Sequence, residues 1–153
     1  MKYLDTSAFV KNYRNEEKGS GLIDKLLKDA RNGKEEIMSS FFLVGETVSV
    51  FDKWTRYKYI SDNECSELIK TLLRDLKDLF DGGALTLEPV STSTIINALE
   101  LITKHHLSVN DAIHLYTVLA NKNRVNLFVC SDDNLIRAAQ AEGLKVLNPE
   151  KAS

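Results

Sequence analysis

Short apolar runs of strand length alternate along this chain with longer stretches in which apolar residues recur every three or four positions. Such a chain folds as βαβ units: each run is too apolar to leave either face wet, and each amphipathic stretch offers a helix to cover it. The runs are Lys2 to Leu4, Glu36 to Ser39, Val125 to Cys130 and Lys145 to Leu147, with a fifth at Leu85 to Val90 that Pro89 interrupts. The helical stretches are Ser20 to Ala30, ended by Gly33, and Phe41 to Tyr57, with Phe42, Leu43, Val50, Phe51 and Trp54 on one face. A long one after Ser61 and Asp62 runs through Leu68, Leu72, Leu76 and Leu79 to Gly82-Gly83. Ser91 opens another through Ile95, Ile96, Leu99 and Ile102, Ser108 one through Ala112, Ile113, Tyr116 and Leu119, and Asp132-Asp133 the last, to Gly143. The expectation is an α/β fold around a mainly parallel sheet of four to five strands. With 153 residues, two prolines and no Gly/Ser-rich linker, residues 1–150 read as a single domain.

Charge and cysteine usage narrow the function classes. Twenty-two acidic against 20 basic side chains give a net charge of −2, which excludes a polycation, so any nucleic-acid binding must rest on local charge. Cys65 and Cys130 lie far apart with no histidine at metal spacing, which suggests packed thiols rather than a disulfide or zinc site. Met1-Lys2 leads directly into Tyr3-Leu4-Asp5, and no apolar run has the length of a signal peptide or membrane helix. A cytoplasmic protein with no membrane contact is expected.

Ligands of open parallel sheets bind beyond the carboxyl ends of the strands. Two runs end there with an acid, Leu4-Asp5-Thr6-Ser7 and Val129-Cys130-Ser131-Asp132, and each acid alone would suit a helix N-cap. Glu46 shares a stripe with Phe42 and Val50, so it points toward the sheet, and its bland use is a carboxylate at the rim of the apolar face. Asp111 lies in Ser108-Val109-Asn110-Asp111, a capping-box pattern. Brought into one crevice, these acids could not all stay ionised without a cation. Carboxylates without His or Cys favour Mg²⁺ or Mn²⁺, which support phosphodiester hydrolysis.

Tyr3 to Lys11, Glu46-Thr47-Val48, Asn110-Asp111-Ala112-Ile113-His114, Phe128 to Asp132, Ala141 to Leu144 and Asn148-Pro149 together resemble a PIN domain of the VapC toxin type, across nearly the whole chain. The resemblance implies a three-layer α/β/α fold and Mg²⁺- or Mn²⁺-dependent ribonuclease activity. It assigns catalysis and metal binding to Asp5, Glu46, Asp111 and Asp132, with Thr6 or Ser7 as a supporting hydroxyl. It further implies an RNA substrate, a homodimer and a cognate antitoxin protein. Many members carry Thr two residues before the last acid. This chain has Cys130 there and its hydroxyl at Ser131, which leaves Asp133 as an alternative fourth acid.

His114 shares a helix face with Asp111 and is a candidate substrate contact beside Lys11 and Arg14, although packing or hydrogen bonding suits it better. Lys11, Arg14, Lys122 and Arg124 are phosphate-contact candidates, and His105-His106 suit the carbonyls of a helix end. Lys53 to Tyr59 interleaves bases and aromatics as an RNA-stacking surface would, yet Trp54 continues an apolar stripe, which favours core or dimer packing. A receiver module, a D-x-D phosphatase and a glycine-rich nucleotide fold each lack their residues in register. The remaining readings are a non-toxin processing nuclease and an inactive PIN-like interaction module. Setting the four acids aside leaves 18 acidic against 20 basic residues, so the rest of the chain is +2, compatible with a nucleic-acid enzyme whose negative charge is concentrated at a metal site.

Overall fold

The computed structural model describes residues 1–152. Strands β1 (Lys2–Leu4), β2 (Ile37–Ser40), β3 (Leu85–Glu88), β4 (Leu127–Val129) and β5 (Val146–Leu147) form one parallel sheet in the order β3-β2-β1-β4-β5. Around it lie α1 (Thr6–Phe9), a 3-10 turn (Val10–Tyr13), α2 (Ser20–Arg31), α3 (Phe42–Arg56), α4 (Asp62–Asp81), α5 (Thr92–His105), α6 (Val109–Ala120) and α7 (Asp133–Ala141).

Alternation along the short strands builds the three layers. Leu4, Ile37, Leu85 and Val129 point to one face, where they pack against residues of α1 to α4 that include Phe9, Leu27, Leu43, Phe51, Leu72 and Leu79. Tyr3, Met38 and Phe128 point to the other, against Leu101, Ile113, Leu115, Leu135 and Ala139 of α5, α6 and α7. Burial on both faces is why Tyr3-Leu4 of β1 and Leu127-Phe128-Val129 of β4 are apolar at successive positions. The chain is thus a three-layer α/β/α fold.

Pro89 falls one residue beyond β3, an edge strand, where its missing N–H costs no ladder bond. Ser61 and Glu64 close a capping box at α4, and Ser91 and Thr94 another at α5. Of the apolar residues expected to line α5, Ile102 packs on the core but Ile95, Ile96 and Leu99 do not. Ala98 and Leu101 face the core, whereas Ile96 and Leu99 are 59% and 52% exposed. No helix among the described residues is long and apolar enough to cross a membrane.

Candidate active site

From β1 the chain builds outward through β2 to β3, then returns to the opposite side of β1 for β4. The reversal between β1 and β4 leaves a crevice at their carboxyl ends, since the following helices depart to opposite faces. Tyr3 pairs with Phe128 and Leu4 with Val129, so Asp5 and Asp132 leave neighbouring strands at nearly the same level. The Asp5 amide continues the ladder, donating to the Val129 carbonyl at 3.0 Å.

Asp5 caps α1 and is 3% exposed. Its Oδ2 accepts from the Ser7 amide at 2.9 Å and the Ser7 hydroxyl at 2.6 Å. Ser7 Oγ in turn accepts from the Ser131 amide at 2.9 Å, which fastens the β4 end to the carboxylate. Cys130 fills the remaining space, with Sγ 3.6 Å from Asp5 Oδ2 and accepting from the Asp132 amide at 3.3 Å. Burial, and then the Asp5 charge, pushes the Cys130 thiol far up, so it stays a neutral donor. The support expected of the Ser131 side chain is not seen: among the described residues its buried Oγ has no hydrogen-bond partner, and its backbone amide makes the contact to Ser7.

Glu46, on α3, reaches the same place from the side. Its Oε2 accepts from the Thr6 hydroxyl and from His114 Nε2, each at 2.7 Å. The other imidazole nitrogen lies 2.8 Å from the Tyr3 hydroxyl and 3.8 Å from Asp5 Oδ1. His114 is 1% exposed. Burial alone would lower its pKa, but Glu46 and Asp5, followed by Asp111, outweigh it and hold the imidazolium above the ordinary histidine value. Burial would likewise raise Glu46, yet its bonds to His114 and Thr6 leave it below the ordinary value. Protonation of His114 is thus favoured by the acids around it, and in that form it is a counter-charge to Glu46.

Asp111 sits in the first turn of α6, accepting from the Ser108 hydroxyl at 2.7 Å. Burial raises its pKa, and the charges of Asp5 and Asp132 add to the rise against the bond from Ser108. Asp132 caps α7 by accepting from the Leu135 amide at 2.8 Å. Asp133 lies apart from the cleft and pairs with Lys151 at 2.8 Å. Asp5, Glu46, Asp111 and Asp132 line one cleft of about 440 Å³, with Thr6, Ser7 and Asn110 beside them.

Each of these carboxylates is held on a donor of the protein, and among the described residues no three His, Cys, Asp or Glu side chains surround a single point as a preassembled metal site would. The donor chemistry nevertheless fits a hard divalent cation. The acids offer only oxygen, and their mutual repulsion, felt at Asp111, is what a cation would relieve.

The substrate contacts expected of Lys11, Arg14 and His114 do not lie in this cleft. Lys11 is 5% exposed and tied to Glu150 at 2.6 Å. Arg14 pairs with Glu17 and lies over the Trp54 ring, 5.3 Å from its centroid. His114 is sealed behind Thr6 and Glu46. Lys122 and Arg124 precede β4, at the opposite end of the sheet. His105, expected on helix carbonyls, pairs instead with the Glu142 carboxylate at 2.6 Å. The bases that do line the cleft are Lys53 and Arg56 of α3. Their spacing from Glu46 could have found them, but the core reading of neighbouring Trp54 masked it.

An acid-lined cleft at the switch point of a parallel α/β/α sheet defines a class of proteins that bind their ligands through carboxylates at the strand ends. The profile of the PIN domain matches residues 2–141, and the chain belongs to that family, whose members are generally metal-dependent nucleases. The fold is similar to the crystal structure of PAE2754 from Pyrobaculum aerophilum, with a TM-score of 0.58 and 16% identity over 95% of this chain and 90% of that one. No curated protein matches the chain in sequence.

Proposed function

We propose that this protein is a Mg²⁺- or Mn²⁺-dependent endoribonuclease acting as the toxin of a type II toxin-antitoxin pair. The observation that carries the nuclease reading is the convergence of Asp5, Glu46, Asp111 and Asp132 on one cleft. Asp5, Glu46 and Asp111 would hold the principal ion, and Asp132 would help recruit a second. The bound ion supplies charge neutralisation and activates water toward phosphorus.

The protein's own part is positional. Ser7 fixes Asp5 Oδ2 through two donors, so that oxygen is oriented before any ligand arrives. Thr6 and His114 do the same for Glu46 Oε2. Lys53 and Arg56 place positive charge beside the acids, where it can draw in the phosphate backbone. The toxin role, with its homodimer and antitoxin, rests on the resemblance of Tyr3 to Lys11, Asn110 to His114 and Phe128 to Asp132 to VapC-type chains.

Incubation of a structured RNA with the purified protein tests the reading. Mn²⁺ should permit cleavage leaving 5′-phosphate and 3′-hydroxyl ends, as in similar enzymes, and EDTA or Asp5→Asn should abolish it. Cleavage that survives either change overturns the assignment, and absence of any metal-dependent cleavage leaves an interaction module. Expression of the chain alone should arrest growth, relieved by the product of an adjacent short reading frame. Unaffected growth would favour a processing nuclease.

A further inference from the structure

We infer that one face of α3 is a docking track for single-stranded RNA leading away from the acids, with Lys53 on a backbone phosphate and Tyr57 stacked on a base. The inference rests on the nuclease reading of the cleft and names the residues of α3 that would carry the strand.

Glu46, Val50, Lys53 and Tyr57 follow one another at helical steps of four, three and four, so they form one stripe. The first three line the cleft together, and Tyr57 is the residue that caps the helix. At the helical rise, Lys53 lies about 10 Å and Tyr57 about 16 Å along the axis from Glu46. The stripe thus runs from a proposed metal ligand through a cation to an aromatic ring.

The chemistry along it suits a strand of nucleic acid. Lys53 is exposed and makes no ion pair among the described residues. Arg56, lining the same cleft, is tied to Asp52 at 2.7 Å in an exposed pair of the kind a phosphate can displace at little cost. Tyr57 and Tyr59 are 60% and 65% exposed, with ring centroids 6.1 Å apart. Between them Lys58 holds φ at 60°, a left-handed backbone that its side chain disfavours. Tyr59 already carries the Arg14 guanidinium, 5.6 Å from its centroid, whereas Tyr57 is an exposed ring on the stripe of the unpaired Lys53, which is what base stacking uses. Trp54, about 100° around the helix from Lys53, is 7% exposed and belongs to the core. The mixed stretch is therefore divided by helix face, its inward aromatic structural and its cleft-side residues free for a ligand. Bases stacked inside a duplex could not reach Tyr57, so the track selects an unpaired strand.

Fluorescence anisotropy decides this, using a labelled single-stranded oligoribonucleotide and a fully paired duplex of the same sequence, with EDTA present so that the strand stays intact. The single strand should bind more tightly than the duplex. Tyr57→Ala should weaken its binding at least about five-fold, as loss of one stacked base implies, while Tyr57→Phe retains it. Lys53→Gln should flatten the dependence of log Kd on log salt by about 0.7. Thermal unfolding of each variant checks that the fold is kept. Wild-type affinity in both Tyr57→Ala and Lys53→Gln, or equal binding of duplex and single strand, overturns the track. If the strand binds as described but is never cut when Mn²⁺ is supplied, the track stands and the nuclease reading falls. No binding by the wild-type protein overturns the track itself.

Discussion

The buried imidazole of His114 lies between Glu46 and Asp5 with the Tyr3 hydroxyl on its far side, so three elements meet on one ring. Its folded pKa is raised, so its contribution is full below the ordinary histidine value and is lost as pH rises through the raised one. Glu46 has a lowered pKa, so its contribution is full above the ordinary carboxylate value and is lost as pH falls through the lowered one. The pair therefore stabilises the fold most between the two. His114→Ala should cost about 3 kcal/mol, as breaking a buried pair does, and should flatten the pH profile of the urea midpoint across that window. An unchanged profile would mean that the ring is neutral. Asp132 separates structure from chemistry in another way. Asp132→Asn keeps a good cap and should leave stability unchanged while weakening Mn²⁺ binding, whereas Asp132→Ala should lose both, the cap being worth about 1 kcal/mol. Calorimetric Mn²⁺ titration beside urea unfolding reads the two apart. The four acids were legible in the sequence because strand ends, a helix stripe and a first turn are local signals. The bond from His114 to Glu46 was not, since it joins residues 68 apart on helices of opposite layers, α6 and α3, whose side chains meet beside the carboxyl end of β1.

Among the elements, strands and caps were the most legible. Ser61, Ser91, Ser108 and Asp132 each open the helix their spacing announces. What sequence could not supply was which face each helix turns inward, and on α5 the bulkier stripe faces water while Ala98 and Leu101 go in. The start of α2 holds another constraint visible only in three dimensions. Gly19 precedes it at φ 89°, and a Cβ there would come within 2.7 Å of the Pro149 carbonyl. Gly33 has a comparable φ of 70° but open space around it. Gly33→Ala should therefore cost about 1 kcal/mol for the left-handed backbone alone. Gly19→Ala should cost clearly more, because the segment around Pro149 must also move. Chemical denaturation of the two variants checks the order, and equal costs would show that this segment yields freely.

For the molecule as a whole, topology does what local sequence cannot. Reversal of strand order beside β1 sets Asp5 and Asp132 at one level, and α3 and α6 then bring Glu46 and Asp111 to the same cleft from the two faces of the sheet. The net charge of −2 conceals this arrangement: the acids are gathered at one edge, with Lys53 and Arg56 beside them. Such a division suits an enzyme that holds a cation and draws a polyanion toward it. Crystals soaked in Mn²⁺ and measured for anomalous scattering test this account most directly. It predicts a peak in the cleft bounded by Asp5, Glu46 and Asp111, lost in Asp5→Asn protein. Absence of a peak there, or one that persists without the Asp5 carboxylate, would contradict it.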